Sequence, residues 1–212
     1  MKKILFLLCF IMGAYGYSFA QDRSFGFTGG VSFANIRIKV PGHAEHSDSK
    51  AGLTLGAFVE YAYNAHFSFQ PGLNFVQKGG KGKEGTFTYD YRFNYLEVPF
   101  NFLYYLKSKG ARFFVGAGPW VAAGIGGKAT TNDGTGEVSQ DLKFGSNDAK
   151  DDFKTFDLGA NALIGCKLQG GFLISAGYSV GIHSITFHDD KLMNYYYSAK
   201  IGYTLPAKKP KK

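Results

Sequence analysis

The fold is decided by the stretch Tyr95-Leu-Glu-Val-Pro-Phe-Asn-Phe-Leu-Tyr-Tyr105. Its large apolar side chains fall at even positions from Leu96 to Tyr104, while Glu97 and Asn101 lie between them. Strict alternation with a period of two indicates a β-strand rather than a helix. A strand that crosses a bilayer needs about 9–11 residues, and this stretch supplies that length. It therefore predicts a membrane-spanning strand.

The residues just before this stretch alternate in the opposite phase. Aromatic side chains occupy the odd positions from Phe87 to Tyr95, and the apolar set moves to even positions at Leu96. We therefore expect residues 86–95 to project beyond the membrane, with a β-bulge where the phase changes.

Alternation of the same kind recurs along the whole chain. Short connections (64–65, 107–110 and 169–171) alternate with long ones (40–51, 79–85, 127–152 and 184–193), as in outer-membrane barrels. The sequence thus predicts an all-β fold: an eight-stranded, antiparallel, closed, up-and-down transmembrane β-barrel over residues 21–205, with both termini periplasmic. The eight segments are 25–39, 52–63, 66–78, 86–106, 111–126, 153–168, 172–183 and 194–205.

A soluble eight-stranded barrel of the lipocalin type is the alternative fold. Such a barrel buries large apolar side chains inside and shows a polar face to water. Here the face opposite the aromatic and aliphatic residues carries mainly glycine, serine, threonine and asparagine. These small residues cannot fill a dry core, so the asymmetry favours a barrel whose apolar face contacts lipid.

The N-terminus has the pattern of a secretory signal peptide. Lys2 and Lys3 precede an apolar run over residues 4–12, and Ser18-Phe19-Ala20 forms a small-x-small cleavage motif. We expect residues 1–20 to be removed and the mature protein to reach the outer membrane of a Gram-negative bacterium.

The positive charge is concentrated at the two ends of the chain. The formal net charge of +8 falls to +6 without Lys2 and Lys3, and four lysines of the tail 206–212 account for four of those charges. About +2 remains on the barrel, so the sequence predicts no nucleic-acid partner. The lysine-rich tail is expected in the periplasm.

Residues 92–105, RFNYLEVPFNFLYY, resemble the "YLEIP" strand of the PorT-type outer-membrane β-barrel domains of Bacteroidetes. Two further stretches are similar to that family: GFTGGVSFAN at 26–35 and VGAGPWV at 115–121. The resemblance implies an outer-membrane barrel and assigns no biochemical task, because most members of that family have none.

Seven polar residues fall on the inward-facing positions of the predicted strands. An eight-stranded barrel has an interior just wide enough for side chains to fill, and charges buried there must be paired. A structural polar network is the simpler interpretation, and a path for protons or solutes is the alternative. The set consists of Glu60, Gln70, Glu97, Asn101, Asp157, Asn161 and Lys200.

The sequence gives little indication of a catalytic site or a metal site. His183 and Ser184 are adjacent, so in a continuous strand they point to opposite faces and cannot form a nucleophile–base pair. Three histidines (43, 46 and 188) lie in predicted external connections, where a solvated side chain is the usual state. We therefore expect no catalytic residue, no metal site and no cofactor.

These observations predict a non-enzymatic structural or surface-interaction protein of the outer membrane. Outer-membrane lipids are the expected surroundings, and the long connection 127–152 is the expected contact for a protein or surface partner. A small-solute or lipid-handling barrel of the transport class is the alternative. The oligomeric state does not follow from the sequence.

Overall fold

A computed structural model describes residues 22–40, 43–106, 110–147, 149–187 and 191–205. The signal peptide predicted at 1–20 and the tail at 206–212 lie outside these residues. No helix in the described part of the chain has the length and apolarity needed to cross a bilayer. The strands are β1 (Asp22–Val40), β2 (His43–His46), β3 (Lys50–Ala62), β4 (Phe67–Glu84), β5 (Phe87–Tyr105), β6 (Arg112–Asn132), β7 (Glu137–Leu142), β8 (Phe144–Gly145), β9 (Phe153–Lys154), β10 (Phe156–Lys167), β11 (Phe172–Gly181) and β12 (Lys191–Leu205).

Eight of these strands close into a ring. Their order is β1, β3, β4, β5, β6, β10, β11 and β12, and each pairs antiparallel with its neighbours. The ring closes where β12 pairs with β1, with Phe27 opposite Tyr203. This confirms the predicted eight-stranded antiparallel barrel. We call the end where β1 begins and β12 ends the terminal end, and the opposite end the distal end.

The two faces of the wall differ as the alternation predicts. Large apolar side chains point outward and are exposed; Ile201, for example, is 70% exposed, although a water-soluble protein would bury it. Aromatic residues cluster outside near the terminal end. The ring centroids of Phe67 and Tyr104 lie 5.0 Å apart, and those of Phe69 and Phe102 lie 5.1 Å apart. A continuous apolar belt with aromatic edges is the surface that a bilayer requires.

The predicted bulge exists, but the extra residue lies on β6 and not on β5. Asn94 pairs with Gly126 and Tyr95 with Gly124, which leaves Ile125 without a partner on β5. Along β5 the odd residues face inward on both sides of this point, so its alternation never breaks. The phase change in the sequence therefore reflects aromatic side chains inside the distal mouth. Gly126 has a φ of 143°, a conformation that favours glycine.

Two stretches predicted as long connections are strands. Residues 79–84 continue β4, and residues 127–132 continue β6, which then pairs with β7. Polar and glycine-rich residues hide this structure from a pattern search, because backbone pairing with neighbouring strands stabilises it rather than apolar alternation. We call this extension the distal sheet: residues 79–84 of β4, 87–94 of β5, 126–132 of β6, and β7.

Candidate functional site

The polar residues predicted to face the lumen all lie on its wall. Those most completely buried are Glu97 and Asp157, each 1% exposed. Both are paired with Ala122 of β6, one from each side, so they lie at the same level of the barrel. The small side chain of Ala122 leaves the space between them open for a third group.

Lys78 of β4 fills that space. Its Nζ lies 3.1 Å from Oε2 of Glu97 and 3.5 Å from Oδ2 of Asp157, and its side chain is 0% exposed. The same Nζ lies 3.9 Å from the ring centroid of Trp120. Tyr196 donates a hydrogen bond of 2.7 Å to Oε1 of Glu97. One buried ammonium thus holds together side chains from β4, β5, β6, β10 and β12.

Lys78 is not among the residues that the sequence predicted for the lumen. It is the last residue of the predicted segment 66–78, and its even number places it on the same face as Gln70 and Asn74. Its even number within this alternating segment was the sequence signal that could have placed Lys78 in the lumen. Its pairing with two carboxylates from distant strands depends on the barrel register, which the local pattern does not contain.

A second polar group lies near the terminal end and is separate from the first. The hydroxyl of Tyr105 donates a hydrogen bond of 2.8 Å to Oε1 of Glu60, which is 4% exposed. Nζ of Lys167 lies 3.5 Å from Oε2 of Glu60. The predicted network is therefore divided into two, each with its own lysine.

Three of the remaining predicted residues line a small cavity in the lumen, and the fourth, Gln70, lies opposite one of them. Gln70 and Asn101 are opposite each other on β4 and β5, and Asn101, Asn161 and Lys200 line a cavity of about 50 Å³ together with Glu97. Oδ1 of Asn101 and Oδ1 of Asn161 have no hydrogen-bond partner among the described residues. A polar cavity of this size has room for a few water molecules and no larger solute.

Apolar clusters fill the lumen on either side of the polar middle. At the distal end Trp120 packs with Phe93, Tyr95 and Ile185, each at most 1% exposed. The terminal cluster is formed by Leu103, Tyr105, Phe114 and Leu173. The barrel is therefore a packed wall and core rather than a pore.

Above the distal cluster, the inner face of the distal sheet lines a groove. Tyr89, Tyr91 and Phe93 form its wall, with Phe87 at the edge, and its first lobe encloses about 320 Å³. Aliphatic side chains from β1 and β12, with Phe153, form the opposite side. A concave, mainly apolar site of this volume has the size and lining of a small-ligand pocket.

Aromatic contacts hold the groove in shape. The ring centroids of Phe153 and Phe93 lie 4.9 Å apart, and those of Phe144 and Tyr95 lie 5.5 Å apart; both pairs pack edge to face. Each contact of this kind contributes about 0.5–1.5 kcal/mol beyond burial. The short parallel pair β8–β9 brings Phe144 and Phe153 together. The described residues of the region predicted as the external loop 127–152 thus contribute a wall and part of the cover of the groove.

A second lobe of about 480 Å³ continues past Tyr91 and is more polar. Gln140, Asp151 and Asp152 line it, together with Phe187. The Asp152 carboxylate accepts a hydrogen bond of 2.8 Å from the backbone N–H of Lys143. An apolar lobe beside a lobe with carboxylates suits an amphipathic ligand.

His183 and Ser184 are not among the residues that line the groove, and His188 lies outside the described residues. β11 ends at Gly181, so the strand predicted to reach His183 stops earlier, and Oγ of Ser184 accepts a hydrogen bond from the backbone N–H of Leu192. No group of three or more potential metal ligands occurs among the described residues.

Comparison with solved structures finds several proteins to which this chain is similar. The attachment invasion locus protein Ail of Yersinia pestis is 16% identical, with 87% of this chain and 99% of Ail covered and a TM-score of 0.45. Neisserial surface protein A is 12% identical, with 84% and 96% covered and a TM-score of 0.45. OprG of Pseudomonas aeruginosa is 14% identical, with 88% and 98% covered and a TM-score of 0.43.

A search of curated proteins returned no match. The family defined as the outer membrane protein beta-barrel domain matches residues 19–186, which is most of the chain. The closed ring of eight antiparallel strands with an exposed apolar belt is the structure that such a domain needs. The chain belongs to the outer-membrane β-barrel domain family.

Proposed function

We propose that this protein is a non-enzymatic surface-interaction protein of the outer membrane, and that it binds an amphipathic ligand in the groove of the distal sheet. The observation that carries the proposal is the contrast between the lumen of the barrel and the groove. The lumen is filled by side chains, whereas the groove is concave, aromatic and open at the distal end. The barrel then serves as the anchor and the distal sheet as the binding part.

This proposal places the distal sheet outside the cell and both termini in the periplasm. An even number of strands puts the two termini on the same side of the membrane, and the extension lies on the other. The resemblance to PorT-type barrels of Bacteroidetes remains part of the prediction, with no role in secretion attached to it.

Site-specific crosslinking on intact cells tests the binding role. A photo-reactive phenylalanine analogue replaces Phe87 at the edge of the groove, and the matched control carries it at Lys150, an exposed turn position. We expect an adduct only at position 87, and we expect Tyr91→Ala to abolish it because the wall of both lobes is removed. Equal labelling at both positions, or none at 87, contradicts the proposal.

Bilayer recording separates this role from solute transport. A filled lumen predicts that the refolded protein does not conduct, and that Glu97→Gln leaves this unchanged. Steady, ion-selective conductance that changes with Glu97→Gln would favour the transport class instead.

A further inference from the structure

The outer face of the distal sheet carries cations just beyond the apolar belt. Asn94 and then Arg92 follow the outward-facing Leu96 on β5, and Lys128 follows Ile125 on β6. Arg92 and Lys128 are both exposed. This surface is separate from the groove, because its residues point away from Tyr91 and Phe93. Its other charged residues are Asp48, Lys50, Lys81, Lys83, Asp90 and Glu137.

The distance of these cations beyond the apolar belt, measured along the membrane normal, matches the position of the lipid headgroups. Arg92 is four residues beyond Leu96, which is about 13 Å along a strand and about 10 Å along the membrane normal for a strand tilted by about 40°. The interfacial layer of a leaflet is several Å thick, and long Arg and Lys side chains reach back toward it. The two cations can therefore contact lipid phosphates.

Arg92 and Lys128 are directly opposite each other on β5 and β6. Like charges in this arrangement repel and destabilise a sheet. Among the described residues, no carboxylate lies within salt-bridge distance of either one, although Asp141 is opposite Lys128 on its other side. Asp90, by contrast, is paired with both Lys50 and Lys81. An anion between Arg92 and Lys128 would remove the repulsion.

We propose that Arg92 and Lys128 together bind the phosphate group of a lipid headgroup in the leaflet that surrounds the distal end. A guanidinium presents parallel N–H donors that match phosphate oxygens, and the ammonium adds a second charge. Leu96 and Ile125, 40% and 54% exposed, lie directly below and contact the acyl chains of the same molecule. This continuity of charge and apolar surface assigns the site to a lipid rather than to free phosphate.

Native mass spectrometry of the refolded full chain in detergent micelles tests the site. The probes are phosphatidic acid, which bears a phosphate monoester, and diacylglycerol, which lacks it. We expect wild type to retain phosphatidic acid selectively. Each cation near a membrane surface contributes about 1 kcal/mol, or about a five-fold gain in affinity, so Arg92→Gln/Lys128→Gln should bind this lipid about thirty-fold more weakly. Asp141→Asn should bind it more tightly than wild type, because a competing negative charge is removed.

Matched controls distinguish this site from general charge effects. Lys143→Gln/Lys150→Gln removes two exposed cations elsewhere in the distal region and should bind phosphatidic acid like wild type. The heat-dependent mobility of each variant on a detergent gel reports that the barrel is folded. Three results would overturn the proposal: equal retention of the two lipids, equal binding by wild type and Arg92→Gln/Lys128→Gln, or displacement of phosphatidic acid by an equal concentration of inorganic phosphate.

Discussion

Replacing Lys78 with methionine should strongly destabilise the barrel. Methionine keeps most of the side-chain volume but removes the charge. Glu97 and Asp157 then remain buried at the same level with no ammonium between them. The perturbation therefore isolates the electrostatic contribution of Lys78 from its packing.

The magnitude follows from the distances. At an effective dielectric constant of about 20, the attraction between Lys78 and Glu97 at 3.1 Å is about 5 kcal/mol, and much of it offsets the desolvation of the ions. Removing one partner of a buried pair typically costs about 3–5 kcal/mol, because the other charge is left uncompensated. We expect a loss in this range for Lys78→Met. The triple variant Lys78→Met/Glu97→Gln/Asp157→Asn should recover most of it, since neither carboxylate of the Lys78 group is then left buried without its ammonium.

Urea unfolding of the protein refolded into lipid vesicles measures these changes. Trp120 is the single tryptophan of the chain and packs on Lys78, so its fluorescence reports unfolding at the site itself. Gel mobility provides a second readout that does not depend on that contact. Two results would contradict this expectation: Lys78→Met as stable as wild type, or a triple variant no more stable than Lys78→Met.

Three further predictions follow from the wall, the terminal end and the distal turn. Ile201→Arg on the belt should cost about 2–4 kcal/mol in the same unfolding assay, whereas Val138→Arg, equally exposed but in the distal sheet, should cost little; similar losses at both would contradict the lipid-facing belt. Tyr105→Phe should cost about 1.5–3 kcal/mol, because the Glu60 carboxylate loses its hydrogen bond, and an unchanged unfolding midpoint would show that this bond contributes nothing. The hydroxyl and backbone N–H of Thr135 and the backbone N–H of Gly136 lower the pKa of Asp133 below its usual value of 3.8; the stabilisation of this turn is thus present above 3.8 and lost as the pH falls through the lower folded pKa, which NMR titration of Asp133 in wild type and Thr135→Val measures.

The barrel was predictable because lipid imposes its pattern on every spanning residue. Alternation from Leu96 to Tyr104 fixes both the strand and the direction of each side chain, and the same rule placed Glu97 in the lumen. Beyond the belt, both faces of a strand are solvated or covered by protein, so the strand no longer needs to alternate apolar and polar residues. Residues 127–152 were therefore predicted as a loop, although 127–132 belong to β6 and 137–142 form β7.

The partners of the lumen residues were not predictable by the same rule. Lys78 and Asp157 are 79 residues apart, and only the closed register of the ring brings them within 3.5 Å. The groove was missed for a related reason. Its aromatic wall was recognised as a phase change at Leu96. Its cover comes from Phe144, which lies outside every predicted segment, and from Phe153, which was predicted only as the start of the strand 153–168.

The bulge at Ile125 has a consequence for protein engineering. Below it, β6 exchanges backbone hydrogen bonds with β10, and above it, with β7. The hairpin 128–142 thus pairs with the ring on one side only, through β5, and it takes no part in the pairing of β1 with β12 that closes the ring. We expect foreign epitopes inserted at the turn 133–136 to leave barrel assembly intact. In the orientation proposed above, such epitopes would be displayed on the cell surface.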